Sequence, residues 1–300
     1  MTTLSELINE VKSSLQGYTM RQDKITYLAN SGGITSTSTS IVVGSSNNLA
    51  KGTIEIDDEL ILIDSYDKAS ATLTVMPGFG RGYQTSTAAS HSQYAPVIIS
   101  PQFPRVAIKK AINDTINSFY PKLWANGTTT ITYNPAVTTY QLPSDAEDVT
   151  YLSWSTIGPS KEWLPVKRWR LDQMANTTAF TTGVSVSIYD NITPGRSIQV
   201  TYKKQPTILT NASDNFATVS GLPETARDVV VLGAAYKLLS YIDSGRVNLT
   251  SAESDAADTK IPSTAGTSIS KYIFALFQQR LAEENAKLLG RYPSIPHYTR

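Results

Sequence analysis

The sequence contains no cysteine, which excludes disulfides, zinc–thiolate sites and thiol nucleophiles together. Histidine is almost as scarce, because His91 and His297 are the only 2. A histidine-based metal site would need both of them together with carboxylates from unrelated segments. A Ser-His-Asp site is equally unsupported, since no Gly-x-Ser-x-Gly turn is there to expose a nucleophilic serine. We therefore predict no catalytic residue, no metal and no cofactor.

The sequence also has neither an excess of positive or negative charge nor an apolar segment long enough to span a membrane. Lys and Arg total 26 against 25 Asp and Glu, so the formal net charge of +1 gives no field for a dedicated nucleic-acid or anionic-membrane binder. No apolar run approaches the roughly 20 residues that span a bilayer, and the first residues do not have the pattern of a signal peptide. We expect a protein that works where it is made, or in a particle assembled there.

Four segments show the apolar spacing of helices. They are predicted from Leu4 to near Gly17, from Pro104 to Leu123, from Glu224 to Tyr241 and from about Ile269 to Leu289. The third has almost no polar face, which is typical of a helix at the centre of a bundle. Gly290 is well placed to end the last helix. A shorter segment from Arg21 to Ala29 is interpreted as one or two further helical turns.

Between these helices the composition shifts to Thr, Ser, Val and Ile, and the apolar period falls to two residues. The chain of 300 residues is also long enough for more than one folding unit. We therefore predict an α+β fold, with a four-helix core, two inserted antiparallel β-modules and an extended C-terminal tail. The expected segments are a first helical part (1–30), a β-module (31–100), a core helix (101–124), a second β-rich module (125–222), core helices (223–290) with a polar loop (247–267), and the tail (291–300).

The stretch from Val75 to Val97 is the most informative part of the first module. Three short strand-like runs precede it, so the unit is predicted to be a meander closed by a glycine-rich corner. The corner sequence Gly78-Phe-Gly-Arg-Gly82 lacks the Gly-Lys-Ser/Thr ending of a phosphate-binding loop and precedes a strand rather than a helix. Arg81 is expected to anchor the corner, with Gly82, by donating to backbone carbonyls. His91 is expected to form hydrogen bonds beside the turn.

Two groups of carboxylates invite a catalytic or calcium-binding interpretation. The first is Asp57-Asp58-Glu59, and the second is Asp255 with Asp258. General acid–base chemistry needs two carboxyls held across a cleft, whereas consecutive residues at a turn point in different directions into water. Both groups are therefore predicted to be solvated.

Basic residues cluster at two places. Arg105, Lys109 and Lys110 lie on the second predicted helix, and Lys161, Lys167, Arg168 and Arg170 surround Trp163 and Trp169. Clusters of this kind can contact the phosphate groups of a nucleic acid, and the affinity rises with each contact through counterion release. A solvated face or an ion pair between subunits is the alternative.

The last ten residues have a composition unlike that of an ordinary polar terminus. Two prolines favour an extended chain, which reduces the entropy lost on docking, and the aromatic and aliphatic side chains can fill pockets on a partner. The predicted docking residues are Arg291, Tyr292, Pro293, Ile295, Pro296, His297, Tyr298 and Arg300.

The order of several short motifs resembles a module of tailed-bacteriophage virion proteins. The matching residues are Thr74-Val75, Arg81-Gly82, Thr85 to Thr87, Ala88-Ala89, His91 and Val97 to Ile99. Ser86 and Ala95 stand where that module usually has glycine. A Leu-Pro-x-x-Ala-x-x-Val start to a buried helix, at Leu222, Pro223, Ala226 and Val229, extends the likeness. The predicted helices come from both ends and the middle of the chain, with β-modules between them. This arrangement resembles that of the head-to-tail adaptor proteins of tailed phages.

This resemblance implies an adaptor-like core and a structural role in the virion neck, between capsid and tail, after assembly in the host cytoplasm. The implied protein partners are the portal protein, copies of the same chain in a ring, usually a dodecamer, and the next neck or tail protein, which is a stopper or a tail terminator. Genomic DNA is implied to pass through the channel without sequence-specific binding. No membrane is implied. A tail or baseplate component is the alternative, because the same module occurs there. A secreted carbohydrate-binding or hydrolytic domain is a third interpretation, against which the missing signal peptide and acid pair count.

Overall fold

The computed structural model describes residues 2–17, 23–157, 162–247 and 265–292, with the side chains of 241–247 and 265–268 excepted. The fold is mixed α+β, with several antiparallel sheets and, in the described part, five helices. The helices are Leu4–Gln16 (α1), Arg105–Asn117 (α2), Phe216–Ser220 (α3), Arg227–Val247 (α4) and Ala265–Arg291 (α5). All four predicted helices are found, as α1, α2, α4 and α5, and α3 is an additional short one.

The chain divides into two compact units. The barrel unit comprises Leu4–Asp114 and Val230–Ala275, and the two-sheet unit comprises Met1–Thr3, Thr115–Val229 and Leu276–Arg300. The predicted segments from Pro293 to Arg300, most of the polar loop with Asp255 and Asp258, and Lys161 lie outside the described residues.

In its described residues, the barrel unit has one sheet of six strands. They are Lys24–Tyr27 (β1), Ser40–Val42 (β2), Gly52–Ile56 (β3), Glu59–Asp67 (β4), Thr72–Val75 (β5) and Pro96–Ile99 (β6), in the order β1-β6-β3-β4-β5-β2. A bridge between Leu28 and Val43, just after β1 and β2, joins the two ends of the sheet into a closed barrel. Alternate side chains point inward and form one apolar core, with Leu28, Ile41, Ile54 and Leu73 fully buried.

The segment from Arg21 to Ala29, interpreted as helical, contains β1 instead. Ile25 pairs with Ile98 and Tyr27 with Pro96, so a partner about 70 residues away decides the local structure. The helical interpretation is therefore wrong for its described part. This pairing also places a strand that precedes residue 31 in the same sheet as the first predicted β-module.

The two-sheet unit contains seven strands in its described residues. They are Ala125–Thr132 (β7), Thr139–Gln141 (β8), Asp148–Ser155 (β9), Trp163–Pro165 (β10), Trp169–Asp172 (β11), Ser185–Ile188 (β12) and Ser197–Lys204 (β13). One sheet has the order β10-β9-β13-β7 and the other β11-β12-β8, and both contribute to a single apolar core. The apolar alternation of the sequence predicts five of these strands, β7, β8, β9, β12 and β13, at Thr128 to Tyr133, Thr138 to Leu142, Val149 to Ser155, Val184 to Tyr189 and Arg196 to Lys203. It misses β10 and β11. All three residues of β10 are exposed, so that strand shows no alternation of buried and exposed positions.

Candidate functional site

The glycine-rich corner of the barrel is built around the buried carboxylate of Glu59. Glu59 opens β4, and its side chain is 1% exposed. Arg81, on the turn after β5, forms a bidentate ion pair with this carboxylate, since its Nε lies 2.8 Å from Oε1 and its Nη2 lies 2.8 Å from Oε2. The backbone N–H groups of Gly82 and Ala89 donate to the same two oxygens. The carboxylate is therefore surrounded by donors from one loop.

Arg81 also connects this loop to a second one. Its Nη1 donates to the carbonyl oxygens of Thr35 (2.5 Å) and Ser38 (3.2 Å), and its Nη2 donates to the carbonyl of Ala89 (2.6 Å). Gly82 has a φ of 61°, and a Cβ there would lie 3.0 Å from the carbonyl oxygen of Ser86. A glycine is thus required where the chain turns toward Glu59.

His91 completes the corner from the other side of Glu59. Its Nε2 lies 2.8 Å from Glu59 Oε2 and its Nδ1 lies 2.7 Å from Asp57 Oδ2. Only the doubly protonated imidazole can donate to both carboxylates at once. Burial favours the neutral ring, but the hydrogen bonds to Glu59 and Asp57 outweigh it and raise the pKa of His91 above its ordinary value.

The same contacts act on Glu59 in the opposite direction. Burial alone would raise the pKa of this carboxyl, but the hydrogen bonds from Arg81, His91 and the two backbone N–H groups lower it to about 2. Glu59 is thus ionised at neutral pH and its oxygens are fully occupied. An ionised carboxylate with such a low pKa and with both oxygens hydrogen-bonded is a poor general acid and a poor general base, which suits the corner to a structural role as a clamp.

The prediction that Asp57-Asp58-Glu59 is a solvated turn needs one correction. The side chains of Asp57 and Asp58 are 54% and 56% exposed, as expected, but Glu59 is buried. The turn ends at Asp58, and Glu59 already belongs to a strand whose next residues are apolar and buried. Within the described residues, no group of three or more His, Cys, Asp or Glu side chains could hold a metal ion.

A second polar cluster lies where α1, β3 and the start of α2 meet in the barrel unit. Arg105 donates from Nε to Asp58 (2.6 Å), and its other nitrogens reach Asn9 and Ser5 on α1. Its backbone N–H and Lys12 both donate to Glu55. Burial raises the pKa of Glu55 even though these donors act against it. The cluster lines a cavity of about 480 Å³.

The other predicted basic residues are placed as follows. Lys109 is half-buried and Lys110 is exposed on α2, one turn beyond Arg105. In the two-sheet unit, Arg168 pairs with Asp190 at 2.9 Å. Trp169 is buried, whereas Trp163 is 42% exposed on β10. Lys167, Arg168 and Arg170, the described basic residues of this cluster, are all exposed.

The C-terminal end of α5 lies beside β7 in the two-sheet unit. Gly290 does not end the helix, because the N–H of Tyr292 still donates to the carbonyl of Leu288 (2.9 Å) and α5 extends to Arg291. Tyr292 and Arg291 line a pocket of about 330 Å³ together with Asn126, Leu222 and Leu288. The docking residues predicted after Tyr292 lie outside the described part of the chain.

Sequence reasoning singled out Arg81, Gly82 and His91 but missed their shared partner, Glu59. It also missed Lys12 and Glu55, which form the centre of the second cluster. The sequence contains one signal for Glu59, because it is an acidic residue at the start of a strongly apolar strand. The same module contains Arg81 and His91, one of only 2 histidines, which could serve as its partners. Nothing local marks Glu55, since its partners Lys12 and Arg105 lie 43 and 50 residues away along the chain.

Comparison with known proteins identifies a family. The model of the family described as SU10 adaptor protein matches residues 88–283, which is more than half of the chain. This match confirms the resemblance to head-to-tail adaptors that the motifs indicate. A search of curated proteins gives no match. No helix in the described ranges combines the length and the apolar character that crossing a membrane requires.

Proposed function

Since the chain belongs to the SU10 adaptor protein family, we propose that it forms a ring beneath the portal and links the capsid vertex of a tailed phage to its tail. The family itself makes the chain a structural adaptor protein of the virion and indicates a structural rather than an enzymatic role. The match over residues 88–283 carries the proposal, because it covers both sheets of the two-sheet unit and most of α5. The tail or baseplate alternative has no comparable support.

In this proposal, α1, α2, α4 and α5 form an adaptor-like core that contacts neighbouring copies. Exposed aromatic side chains on the helices of the barrel unit support such contacts. Tyr272 is 61% exposed and Phe274 is 40% exposed, and the Phe274 ring lies 4.8 Å from that of Tyr236. An aromatic group of this kind on a helical surface is typical of a protein interface.

The barrel is proposed to be an inserted decoration. The family match begins at residue 88, after five of the six strands, so most of the barrel lies outside the matched region. A closed barrel also has no free edge and can fold around its own core.

The basic residues of α2 are proposed to face the channel or a neighbouring subunit. Lys110, which is exposed, is the best placed for DNA passing through the ring. Arg105 is less available, because its guanidinium is already bound to Asp58, Asn9 and Ser5. Sequence-independent contacts of this kind would weaken as the salt concentration rises.

The tail is proposed to bind the portal, with Tyr292, Ile295 and Tyr298 as anchors. The test is to mix portal-bearing, DNA-filled heads either with full-length protein or with a truncated protein that lacks residues 293–300 and ends at Tyr292. Bound copies are then counted after sedimentation. Truncation after Tyr292 keeps α5 intact, since the last backbone hydrogen bond of that helix reaches this residue. We expect the truncated protein to fold and to lose attachment. Equal binding of both proteins would remove the tail from the mechanism.

A further inference from the structure

Among the described residues, no strand pairs with the outer edge of β7. β7 pairs with β13 on one side, and the N–H of Tyr133 donates to the carbonyl of Arg196 at the end of that ladder. The backbone N–H and C=O groups of successive residues in a strand point alternately toward the two neighbouring strands. Because Tyr133 bonds to β13, the backbone groups of the other odd-numbered residues of β7 also face β13. Thr128, Thr130 and Thr132 therefore direct their N–H and C=O groups outward, and no described strand pairs with them.

This edge also lacks the usual protection against pairing. The stretch from Thr128 to Thr132 has no charge and no proline, and every residue in it is β-branched. The opposite edge of the sheet, β10, is different. The N–H of Val166 donates to Leu152 in β9, so Pro165 lies with its missing N–H on the outer side and blocks that edge. β7 is thus the open edge of its sheet.

Tyr292, the residue that precedes the tail segment 293–300, lies beside the start of this edge. Tyr292 lines the same pocket as Asn126, which is the second residue of β7. The side-chain Oδ1 of Asn126 is buried there with no hydrogen-bond partner among the described residues. Residues 293–300, at about 3.3 Å each, span about 26 Å, whereas the open stretch 128–132 needs only about 17 Å.

The tail has a sequence suited to this position. Tyr292 and Ile295 each precede a proline, which disfavours the helical conformation and favours an extended one. In an extended tail, the backbone groups of Ile295, His297 and Thr299 would be directed to one edge, and all three residues have an N–H. The backbone groups of Pro296 would be directed to the opposite edge. One side of the tail can therefore bond to β7, and the proline on the other side prevents further strands from adding.

We propose that residues 293–300 add to the outer edge of β7 in the same copy of the chain, as a parallel strand that starts at the pocket of Tyr292 and Asn126. Ile295, His297 and Thr299 bond to the outward groups of Thr128, Thr130 and Thr132. The tail then covers the one unprotected edge of the sheet before assembly. A partner that takes up the tail, as the proposed function requires of the portal, must first release it from β7.

The test measures amide hydrogen exchange at single residues in full-length protein and in a truncation at Tyr292. Thr128, Thr130 and Thr132 should exchange about tenfold more slowly, or more slowly still, in the full-length protein. Thr129, whose N–H faces β13, is the internal control and should be unchanged. Equal exchange in both proteins would overturn the proposal. Protection that disappears on dilution would overturn it as well, because the strand would then come from a second copy.

Two proline variants separate strand addition from a general effect of the tail. His297→Pro removes an N–H that faces β7 and should abolish the protection of the β7 edge. Tyr298→Pro makes the same chemical change on the side facing away and should leave it intact. Equal effects of the two variants would refute the assigned pairing. No portal is present in these measurements, so their outcome is independent of whether the tail binds heads.

Discussion

Glu59 shows how a charge can be kept inside a small barrel. Its two oxygens receive hydrogen bonds from Arg81 Nε and Nη2, from the N–H groups of Gly82 and Ala89, and from His91. Asp57 supplies the second negative charge, so Glu59 and Asp57 balance Arg81 and His91. A buried charge is tolerated only when it is paired and hydrogen-bonded, and removing one partner leaves the others unsatisfied. The four side chains should therefore respond as one group to substitution and to pH.

Substituting Glu59 tests this interdependence. Glu59→Gln keeps the size of the side chain but leaves Arg81 and His91 without their buried counter-charge, and we expect the barrel to lose about 3–5 kcal/mol of stability. Asp58→Asn is the matched control, because it breaks an ion pair whose carboxylate is 56% exposed and should cost less than about 1 kcal/mol. Urea unfolding followed by far-UV circular dichroism gives both values. Similar losses in the two variants would contradict the clamp.

The raised pKa of His91 predicts a loss of stability at alkaline pH. A group whose pKa is higher in the folded state stabilises fully below its unfolded value, near 6.5, and this contribution disappears as the pH rises through the folded value. The wild-type protein should therefore lose stability between neutral and mildly alkaline pH. His91→Gln should be less stable at pH 6 and should show a weaker dependence on pH. Parallel curves for the two proteins would show that His91 does not carry the effect.

At the scale of elements, the sequence predicts what local pattern decides. The apolar spacing identifies α1, α2, α4 and α5, and alternation identifies five strands of the two-sheet unit. β1 is misread because four residues carry little pattern and its partner, β6, is distant in sequence. The same cause explains the site. Arg81 and His91 stand out locally, whereas the burial of Glu59 depends on loops around Thr35 and Ala89 that only the folded chain brings together.

Two leucines of α4 test how far the apolar character of that helix reflects burial. Leu238 is 6% exposed, whereas Leu232 is only partly buried although the sequence favours a fully buried position. Leu238→Ala should cost about 2–5 kcal/mol, and Leu232→Ala should cost less because its side chain keeps contact with water. Because both variants make the same change in one helix, differences in helix propensity cancel. A larger loss for Leu232 in isolated protein would show that its environment is assigned wrongly.

At the scale of the whole molecule, the two units can be followed separately. Tryptophan occurs 4 times, as Trp124, Trp154, Trp163 and Trp169, and each lies within Thr115–Val229 of the two-sheet unit. Tryptophan fluorescence therefore reports on that unit alone, while far-UV circular dichroism reports on both. This separation allows the barrel to be removed and its effect on the rest of the chain to be measured directly.

Removing the barrel tests whether it is an insertion. Lys24 and Ile99 are paired neighbours in β1 and β6, so a short Gly/Ser linker can join Asp23 to Ser100 in place of residues 24–99. The family match covers few of the removed residues, and the two-sheet unit has its own core. We therefore expect a cooperative tryptophan transition in urea to survive the deletion, with a smaller β-sheet signal in circular dichroism. Full-length Glu59→Gln is the control, because it weakens the barrel without removing it and should leave the tryptophan midpoint in place. Tryptophan emission typical of an unfolded chain, before any denaturant is added to the deletion variant, would show that the two-sheet unit requires the barrel in order to fold.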